Sequence, residues 1–512
     1  MKKSEPLNYA HGETSEPPWW QTVLRSNWTI LLALLLLWPL NWLVHDDNLV
    51  DRYTRRIILV IGINIIAAVS LQLINGTSGQ FSLGHAGFMA VGAYLAAYPM
   101  KTHAMGGTNP VAVLMFYLGM GLVIAIAGAL FLAIFLLIRM STRVHAQLPT
   151  LLLLVVGAWF LWDISAAARA TAGGASQPIY LLWSRGIGLL SDLFDAVANR
   201  KIAFSMPREA GMPICFLIVL IGGGACASVA GLIVGLPTLR LRGDYLAIAT
   251  LGFAEIIRVV INNSQPLGGA TGLTGIPRLS TFAWIYGCVV VTTIVIWRIV
   301  NSAKGRTLIA VREDEIAAAA VGIDTTRYRV FAFIVGSFFA GVAGGLFAHL
   351  NVYLNPTEFG FLRSVELVVM VTLGGLGSIS GAIVTAAVLT YLPELLRNPP
   401  SAFPWGFIIA VVIAWTITLL RGVGRGVRWA AWLLGACLAW ELLRWLARRY
   451  RVDLSEFRMI LYSLLLIALM LLRPQGLLGS REIWSWFTSR RSGTGPPPLP
   501  PPPTTEPVSA AP

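Results

Sequence analysis

Charged side chains inside apolar segments are the residues of this sequence most able to do chemistry. Glu255 lies eleven residues into an apolar segment that begins at Asp244, and Arg258 follows three residues later on the same face of a helix. A charge at mid-membrane depth costs about 3 kcal/mol or more unless it is paired or protonated, and it often marks a solute path. We therefore predict a Glu255–Arg258 ion pair, with either a structural or a pathway role. Asp163 and Glu366 pose the same question without an evident partner.

The sequence contains no motif typical of a metal site, a disulfide or a nucleotide-binding loop. The cysteines lie in apolar segments without a C-x-x-C spacing, which disfavours both disulfides and zinc; they are Cys215, Cys226, Cys288 and Cys437. No G-x-x-x-x-G-K-[ST] motif occurs, because Lys3 and Lys101 are the only lysines followed by Ser or Thr and neither follows Gly. The sequence therefore predicts no metal, no cofactor and no ATPase site of its own, and it does not indicate an enzyme.

A polar loop over residues 301–328 separates two apolar segments. Its Lys and Arg residues place it in the cytoplasm, since short loops rich in these residues stay on that side. The alanine-rich run predicts a short helix over 312–321, which Gly322 closes in a left-handed C-cap. Asp324 or Thr325 would then cap the next helix. The loop therefore predicts an exposed helical element between two membrane spans.

Glycine-rich stretches interrupt the apolar segments 80–100 and 364–392. Such glycines permit close helix contacts, or broken helix ends that offer backbone groups to a zwitterionic substrate. His85 has no partner at metal-ligand spacing, so a packed or hydrogen-bonded side chain is the simpler interpretation. The candidates for a translocation path are Gly84, His85, Gly87, Gly92, Glu255, Gly374, Gly375 and Gly377.

A compact polar turn between two apolar segments contains Arg240, Arg242, Gly243 and Asp244. Asp244 would lie near a helix N-terminus, where the macrodipole favours negative charge. The turn is either an anchor at the membrane interface or a gate.

The elements that position these residues are apolar segments long enough to cross a membrane. Hydrophobic residues make up 56% of the 512 residues and charged residues only 12%, whereas soluble domains are about one quarter charged. Continuous apolar runs of about twenty residues fit a hydrocarbon core of about 30 Å as helices, not as strands of a barrel. The sequence predicts an all-α, polytopic helical membrane bundle. The candidate segments are 28–44, 56–75, 80–100, 111–138, 147–168, 213–236, 244–262, 281–300, 329–350, 364–392, 404–420, 428–446 and 457–472.

The two ends of the chain are polar. Residues 1–27 are expected to form an N-terminal tail and the proline-rich residues 481–512 a disordered C-terminal tail. The formal net charge of +14 comes from Lys and Arg clusters between the apolar runs. This pattern indicates membrane topology and not a partner nucleic acid.

Six segments, taken in order, resemble the LIV-type (LivM-like) branched-chain amino acid permeases of ABC transporters. They are SGQFSLGHAGFMAVGAYLAA (78–97), LPTLRLRGDYLAIATLGFAEIIRVVINN (236–263), TGLTGIP (271–277), GRTLIAVREDEIAAAAVGIDTTRYRVFAF (305–333), VTLGGLGSISGA (371–382) and LRPQGLLG (472–479). The resemblance implies a multi-pass permease of the bacterial inner membrane. It would translocate branched-chain or related amino acids delivered by a periplasmic binding protein. Its partners would be a second homologous permease and two cytoplasmic ATPase subunits.

The same resemblance makes residues 301–328 a coupling loop that docks into a groove of the ATPase. The expected coupling residues are Arg312, Glu315, Ala318 and Gly322. Glu315, Ala318 and Gly322 are similar to the EAA-x-x-x-G pattern of such loops, although the Gly here lies seven positions after the Glu rather than six. We expect Glu315 to contribute a charge to the docking interface.

The resemblance lapses twice inside an expected permease domain of residues 28–480. The two gaps, 101–211 and 398–447, each hold a pair of apolar segments and are interpreted as inserted helical hairpins. About nine family-type membrane segments remain, some of them re-entrant.

Three alternatives stay open. The permease could serve urea or short amides, since the binding protein usually sets selectivity in this family. An ion-driven secondary transporter would show paired acidic residues at mid-membrane depth and no docking loop. A membrane-embedded enzyme would need a metal cluster or a catalytic triad.

Overall fold

The computed structural model describes residues 51–102, 208–239 and 244–397, with a few single residues elsewhere. In these ranges the chain is helical, and the one pairing of extended backbone is the bridge between Leu273 and Leu354. Both terminal tails and most of the two expected insertions lie outside the described residues. So do Asp163, Cys437 and all or most of the candidate segments 28–44, 111–138, 147–168, 404–420, 428–446 and 457–472.

The first described helix, α1, spans Arg52–Gln72. Asp51 caps it, since its carboxylate accepts a hydrogen bond from the Tyr53 amide at 3.3 Å. The helix ends in a π-helical turn over Leu73–Thr77. The chain then runs without helical structure to helix α2, His85–Thr102. The candidate segments 56–75 and 80–100 are thus separate helices joined by an irregular stretch of buried backbone.

Three helices follow in the next described range: α3 (Arg208–Thr238), α4 (Asp244–Asn262) and α5 (Phe282–Asn301). Two short 3-10 turns, Gln265–Leu267 and Gly269–Thr271, lie between α4 and α5. These helices agree to within a few residues with the candidate segments 213–236, 244–262 and 281–300.

The polar loop after α5 forms two short helices, α6 (Ala303–Glu313) and α7 (Glu315–Ala320). Helix α8 follows over Thr325–Asn351. The 3-10 turn Pro356–Phe359 then leads into α9, Phe361–Gly374, and α10, Ile379–Arg397.

The candidate segment 364–392 is a helical hairpin rather than one span. Helix α9 has 14 residues, a length of about 21 Å at 1.5 Å per residue, which is short of a hydrocarbon core of about 30 Å. Gly375 and Gly377, with φ of +108° and +97°, turn the chain back into α10. Only glycine adopts such angles without strain, so the glycines that interrupt the segment also reverse its direction.

Five helices of the described ranges are long and apolar enough to cross a membrane: Arg52–Thr77, Met212–Thr238, Tyr245–Asn262, Phe282–Asn301 and Thr325–Asn351. Helix α8 packs against α2 and α3 at the centre, while α9 and α10 pack on α1. Helices α2 and α8 approach closely at Gly92 and Gly341: a Cβ atom at Gly92 would lie only 2.2 Å from Gly341 Cα. The chain is therefore a helical membrane bundle, as predicted.

The bundle has two distinguishable ends. Helices α6 and α7 mark one, which we call the loop end. The bridge between Leu273 and Leu354 marks the other, which we call the far end. Helix α1 runs from the far end, where Arg56 donates to Asn351 Oδ1 at 3.4 Å, to the loop end at Gly76.

Candidate coupling and translocation site

The coupling segment is two helices broken at Asp314, and the single helix expected over 312–321 is wrong. The Asp314 carboxylate accepts hydrogen bonds from the amides of Ile316 at 2.8 Å and Ala317 at 3.0 Å. This side chain competes with the helical backbone bonds and caps α7, which separates α7 from α6. The left-handed C-cap at Gly322 is confirmed by its φ of +86°. Asp324 rather than Thr325 caps α8, because its carboxylate accepts from the Arg327 amide at 3.1 Å.

Glu315 points back at the bundle. Its Oε1 lies 2.9 Å from Nη1 of Arg329 in the first turns of α8. Ala318, one turn further along α7, is buried. The charge expected at a docking interface is therefore paired within the chain, and Glu315 and Ala318 hold α7 against the bundle.

The open face of α7 is apolar. Ile316 and Val321 are 74% and 76% exposed. Three alanines share this exposure: Ala317, Ala319 and Ala320. Large apolar side chains exposed together on a short capped helix are typical of a surface that contacts another protein or a membrane.

Arg312 joins the coupling segment to the interrupted helices. Its Nη1 donates a hydrogen bond of 2.8 Å to the carbonyl oxygen of Gly76, in the π-helical turn of α1. A Cβ atom at Gly79 would lie 2.5 Å from Arg312 Cγ, and one at Gly377 would lie 3.2 Å from Nη1. The guanidinium also pairs with Glu313. Arg312 thus contacts the break in α1 and the turn between α9 and α10 at once.

A second hydrogen bond joins the break in α1 to the turn between α9 and α10. Gln72 Nε2 donates to the carbonyl oxygen of Gly375 at 3.0 Å. A Cβ atom at Gly76 would lie 2.7 Å from the Gly377 nitrogen, so the two backbones touch. Gly374 packs in the same way on Gly381 across the hairpin, because a Cβ there would lie 2.6 Å from the Gly381 carbonyl carbon.

The irregular backbone between α1 and α2 is held by buried side chains. The Ser82 amide donates to Asn75 Oδ1 at 3.2 Å, and the Leu83 amide donates to Thr250 Oγ1 of α4 at 3.1 Å. Non-helical backbone at membrane depth needs such partners. His85 is fully buried and its Nε2 lies 2.8 Å from Ser70 Oγ.

The glycines around His85 lie in helix contacts. A Cβ at Gly84 would come within 2.7 Å of the Thr250 carbonyl oxygen, and one at Gly87 within 2.9 Å of Ala254 Cα. Gly92 packs on Gly341 as described above. The structure places these residues between helices, and their part in a translocation path stays a prediction.

The ion pair predicted on α4 is present. Arg258 Nε and Glu255 Oε2 lie 2.7 Å apart. Glu366, for which the sequence showed no evident partner, also has one: Arg363 Nη1 lies 2.6 Å from its Oε2. Arg363 and Glu366 have the same three-residue spacing as Glu255 and Arg258, with the basic residue first. That spacing could have revealed this pair from the sequence as well.

Arg363 belongs to a partly buried polar cluster that sequence reasoning missed. Besides Glu366, its guanidinium donates to Asn64 Oδ1 of α1, and Asn64 Nδ2 donates to Thr390 Oγ1 of α10 at 2.8 Å. The cluster fixes the hairpin to α1. Near it at the far end, burial raises the pKa of Glu358, an effect that the Arg363 and Arg56 charges oppose.

The polar turn before α4 is described only at its last residue. Arg240, Arg242 and Gly243 lie outside the described residues, and Asp244 is the first residue of α4. The choice between an anchor and a gate stays open. Within the described ranges, no group of three or more His, Cys, Asp or Glu side chains could hold a metal ion.

Comparison with known proteins identifies the family. A family model described as "Branched-chain amino acid transport system / permease component" matches residues 165–470, more than half of the chain. The high-affinity branched-chain amino acid transport system permease protein LivM of Salmonella typhimurium is 34% identical over 229 residues, which cover 38% of this chain and 54% of that protein. A probable LivM of Methanocaldococcus jannaschii is 31% identical over 206 residues, covering 36% and 57%.

A more distant relative is the autoinducer 2 import system permease protein LsrC of Yersinia pseudotuberculosis, 24% identical over 302 residues that cover 56% of this chain and 80% of that protein. No solved structure matches the chain. The chain spans about half the length of the LivM relatives it matches. With its membrane-spanning helices and the family match over residues 165–470, the chain belongs to the family of permease components of branched-chain amino acid transport systems.

Proposed function

We propose that the chain is the membrane-spanning subunit of an ABC importer for branched-chain or related amino acids in a bacterial inner membrane. A periplasmic binding protein delivers the substrate to the far end of the bundle. Two cytoplasmic ATPase subunits act at the loop end, and a second homologous permease completes the path. The observation that carries this proposal is Arg312, which connects the exposed coupling segment to both interrupted helices.

The docking surface is the apolar face of α7. Ile316 protrudes from this helix and Val321 from the residue directly after it. Asp314 caps the helix and the Glu315–Arg329 pair holds it in place. Exposed apolar side chains on a helix that is already held in position can insert into a groove of a partner subunit at low cost, because little conformational freedom is lost on binding. This assigns contact to Ile316 and Val321, and positioning to Glu315.

The transmission route runs through Arg312. It sits at the end of α6, two residues before Asp314 and α7 begin the docking segment. If the ATPase displaced α7, the Arg312 guanidinium would be pulled against Gly76 and Gly377. Both positions lie where regular helical hydrogen bonding is already interrupted, so the backbone there can hinge without breaking a continuous helix.

The direct test is purification of the tagged chain from native membranes with identification of the proteins that co-purify. We expect an ATPase subunit and a related permease in fixed proportion, and amino acid uptake that needs ATP and a binding protein. A chain that purifies without an ATPase and takes up substrate on an ion gradient alone would replace this proposal by a secondary transporter. Uptake of urea or amides in preference to leucine would change the substrate only.

A further inference from the structure

Two loops at the far end are fastened to each other. Residues 263–281 join α4 to α5, and residues 352–360 join α8 to α9. Leu273 and Leu354 exchange two backbone hydrogen bonds between these loops, of 2.9 and 3.0 Å. No strand extends this bridge among the described residues, so it can open without the loss of a longer ladder of backbone bonds. We call the two bridged loops the far-end latch.

The latch closes over buried apolar side chains. Leu273 and Leu354 are 1% and 0% exposed, and Phe359 of the second loop is 2% exposed. Tyr94 of α2 packs against Phe359 with ring centres 6.3 Å apart, and its hydroxyl donates to the Leu354 carbonyl oxygen at 3.3 Å. Thr274, next to the bridge, is exposed. With the latch closed, apolar side chains therefore seal this part of the far end.

Val352 enters the latch in a strained conformation. Its φ is +65°, and among the described residues it is the one non-glycine residue with a positive φ. A β-branched side chain disfavours this left-handed region, and such strain persists only where the surrounding structure imposes it. The Val352 amide donates to the Ala348 carbonyl oxygen of α8 at 3.0 Å, and the bridge holds Leu354 two residues later. The closed latch therefore contains backbone strain that its opening can relieve.

Helix α8 connects the latch to the coupling segment. Its first turns carry Arg329, which pairs with Glu315 of α7 at 2.9 Å. Its last residue, Asn351, directly precedes Val352. The helix continues without a break over 27 residues, a length of about 40 Å at 1.5 Å per residue. A displacement of α7 at the loop end can thus reach Val352 through one rigid element.

We propose that the far-end latch is a gate that opens in each transport cycle, an inference that rests on the import function proposed above. Movement of α8 turns Val352 out of its left-handed conformation and breaks the bridge between Leu273 and Leu354. The apolar side chains beside the bridge then separate, and the bundle opens toward the binding protein. Reclosure restores the bridge and seals the far end after the substrate has passed.

The first test locks the latch with a disulfide. Residues that exchange both backbone bonds in an antiparallel bridge have Cα atoms about 5.5 Å apart, which a disulfide can span. Leu273→Cys and Leu354→Cys are therefore combined in an assembled complex whose permease lacks its four native cysteines. We expect oxidation to abolish leucine uptake into vesicles and a reducing agent to restore it. Each single cysteine variant, oxidised in the same way, is the control and should keep its uptake.

The second test changes the strain and leaves the bridged residues in place. Val352→Asn should slow leucine uptake by about fivefold, because Asn adopts left-handed angles readily and so favours the closed latch. Val352→Ile keeps the β-branch and is the matched control, which should transport like the wild type.

Either of two results would overturn the gate: undiminished uptake by the oxidised, cross-linked complex, or equal uptake by Val352→Asn and Val352→Ile. Wild-type uptake that needs no ATP would contradict the import function instead, and the effect of the cross-link on that uptake would still decide the gate.

Discussion

Arg312 illustrates how one side chain connects parts of the sequence that lie far apart. It contacts Gly76, Gly79 and Gly377, and none of these contacts follows from spacing along the chain. The resemblance identified Arg312 as a coupling residue of the polar loop, but it indicated none of these contacts. Side chains that pair within one helix turn, such as Glu255 with Arg258, are accessible to sequence reasoning, whereas contacts set by the packing of distant helices are not.

Replacing Arg312 tests the transmission route. Arg312→Ala removes a charged hydrogen bond to the Gly76 carbonyl, which is worth about 1.5 to 3 kcal/mol. We expect leucine uptake at matched membrane levels to fall by about ten- to a hundredfold, while ATP hydrolysis stimulated by the binding protein persists. Arg306→Ala is the control, because Arg306 is exposed on the same helix and its guanidinium makes, among the described residues, only a long contact of 3.5 Å to the Asn301 carbonyl. Equal uptake by the two variants would remove Arg312 from the route.

The Glu315–Arg329 pair gives a second prediction at this scale. Glu315→Lys and Arg329→Glu each place like charges together, so each should lower the melting temperature of the purified chain. The double variant restores opposite charges and should recover part of the loss, with a coupling energy of about 0.5 to 3 kcal/mol. If the single effects simply add, the pair does not hold α7 in place, and Glu315 returns to the docking role that the sequence indicated.

The helical elements show where the sequence was sufficient. The apolar runs predicted α3, α4 and α5 closely, because their lengths and hydrophobicity are set by the membrane. The glycines of residues 364–392 correctly indicated broken backbone. The fold of that segment into a hairpin was not predicted, since a mostly apolar stretch of 29 residues fits one long span equally well.

The coupling segment shows the opposite case. Its alanines favour a continuous helix by intrinsic propensity, which predicts one helix over 312–321. The structure breaks the helix at Asp314, whose carboxylate binds two amides of the next turn. Local competition between an aspartate side chain and the backbone decided the outcome, and that competition is visible in sequence only as one polar residue in a helical run.

Gly322 provides the prediction at the scale of elements. Its φ is +86°, and no heavy atom of the described residues lies within 4 Å of the position that a Cβ would occupy, so a substitution there meets strain but no clash with them. Gly322→Asn should be tolerated, because Asn adopts left-handed angles readily. Gly322→Val should lower the melting temperature and impair uptake, since a β-branched residue is strained there. Equal behaviour of the two variants would show that this backbone conformation does not position α7.

The whole chain is larger than the described bundle, and residues 398–447, which lie inside the range that the family model matches, are expected to be an insertion. We predict that residues 404–446 form a peripheral hairpin that the shared bundle does not need. A chain in which 404–446 and their short flanks are deleted, with the join near Asn398 and Asp453, should insert in the membrane and still co-purify with its ATPase. Normal insertion with complete loss of the ATPase would make the hairpin part of the core.

The central claim at the scale of the molecule is that ATP hydrolysis in partner subunits reaches the path through the apolar face of α7. The most direct measurement is leucine uptake into vesicles that contain the assembled complex, with ATP and binding protein supplied or omitted. Ile316→Asp places a charge on the docking face, and Thr326→Asp places the same charge in the exposed first turn of α8, where the helix dipole favours it. We predict that uptake needs both ATP and the binding protein, that Ile316→Asp abolishes it at matched membrane levels, and that Thr326→Asp preserves it. Uptake that continues without ATP, or that Ile316→Asp leaves intact, would contradict the account.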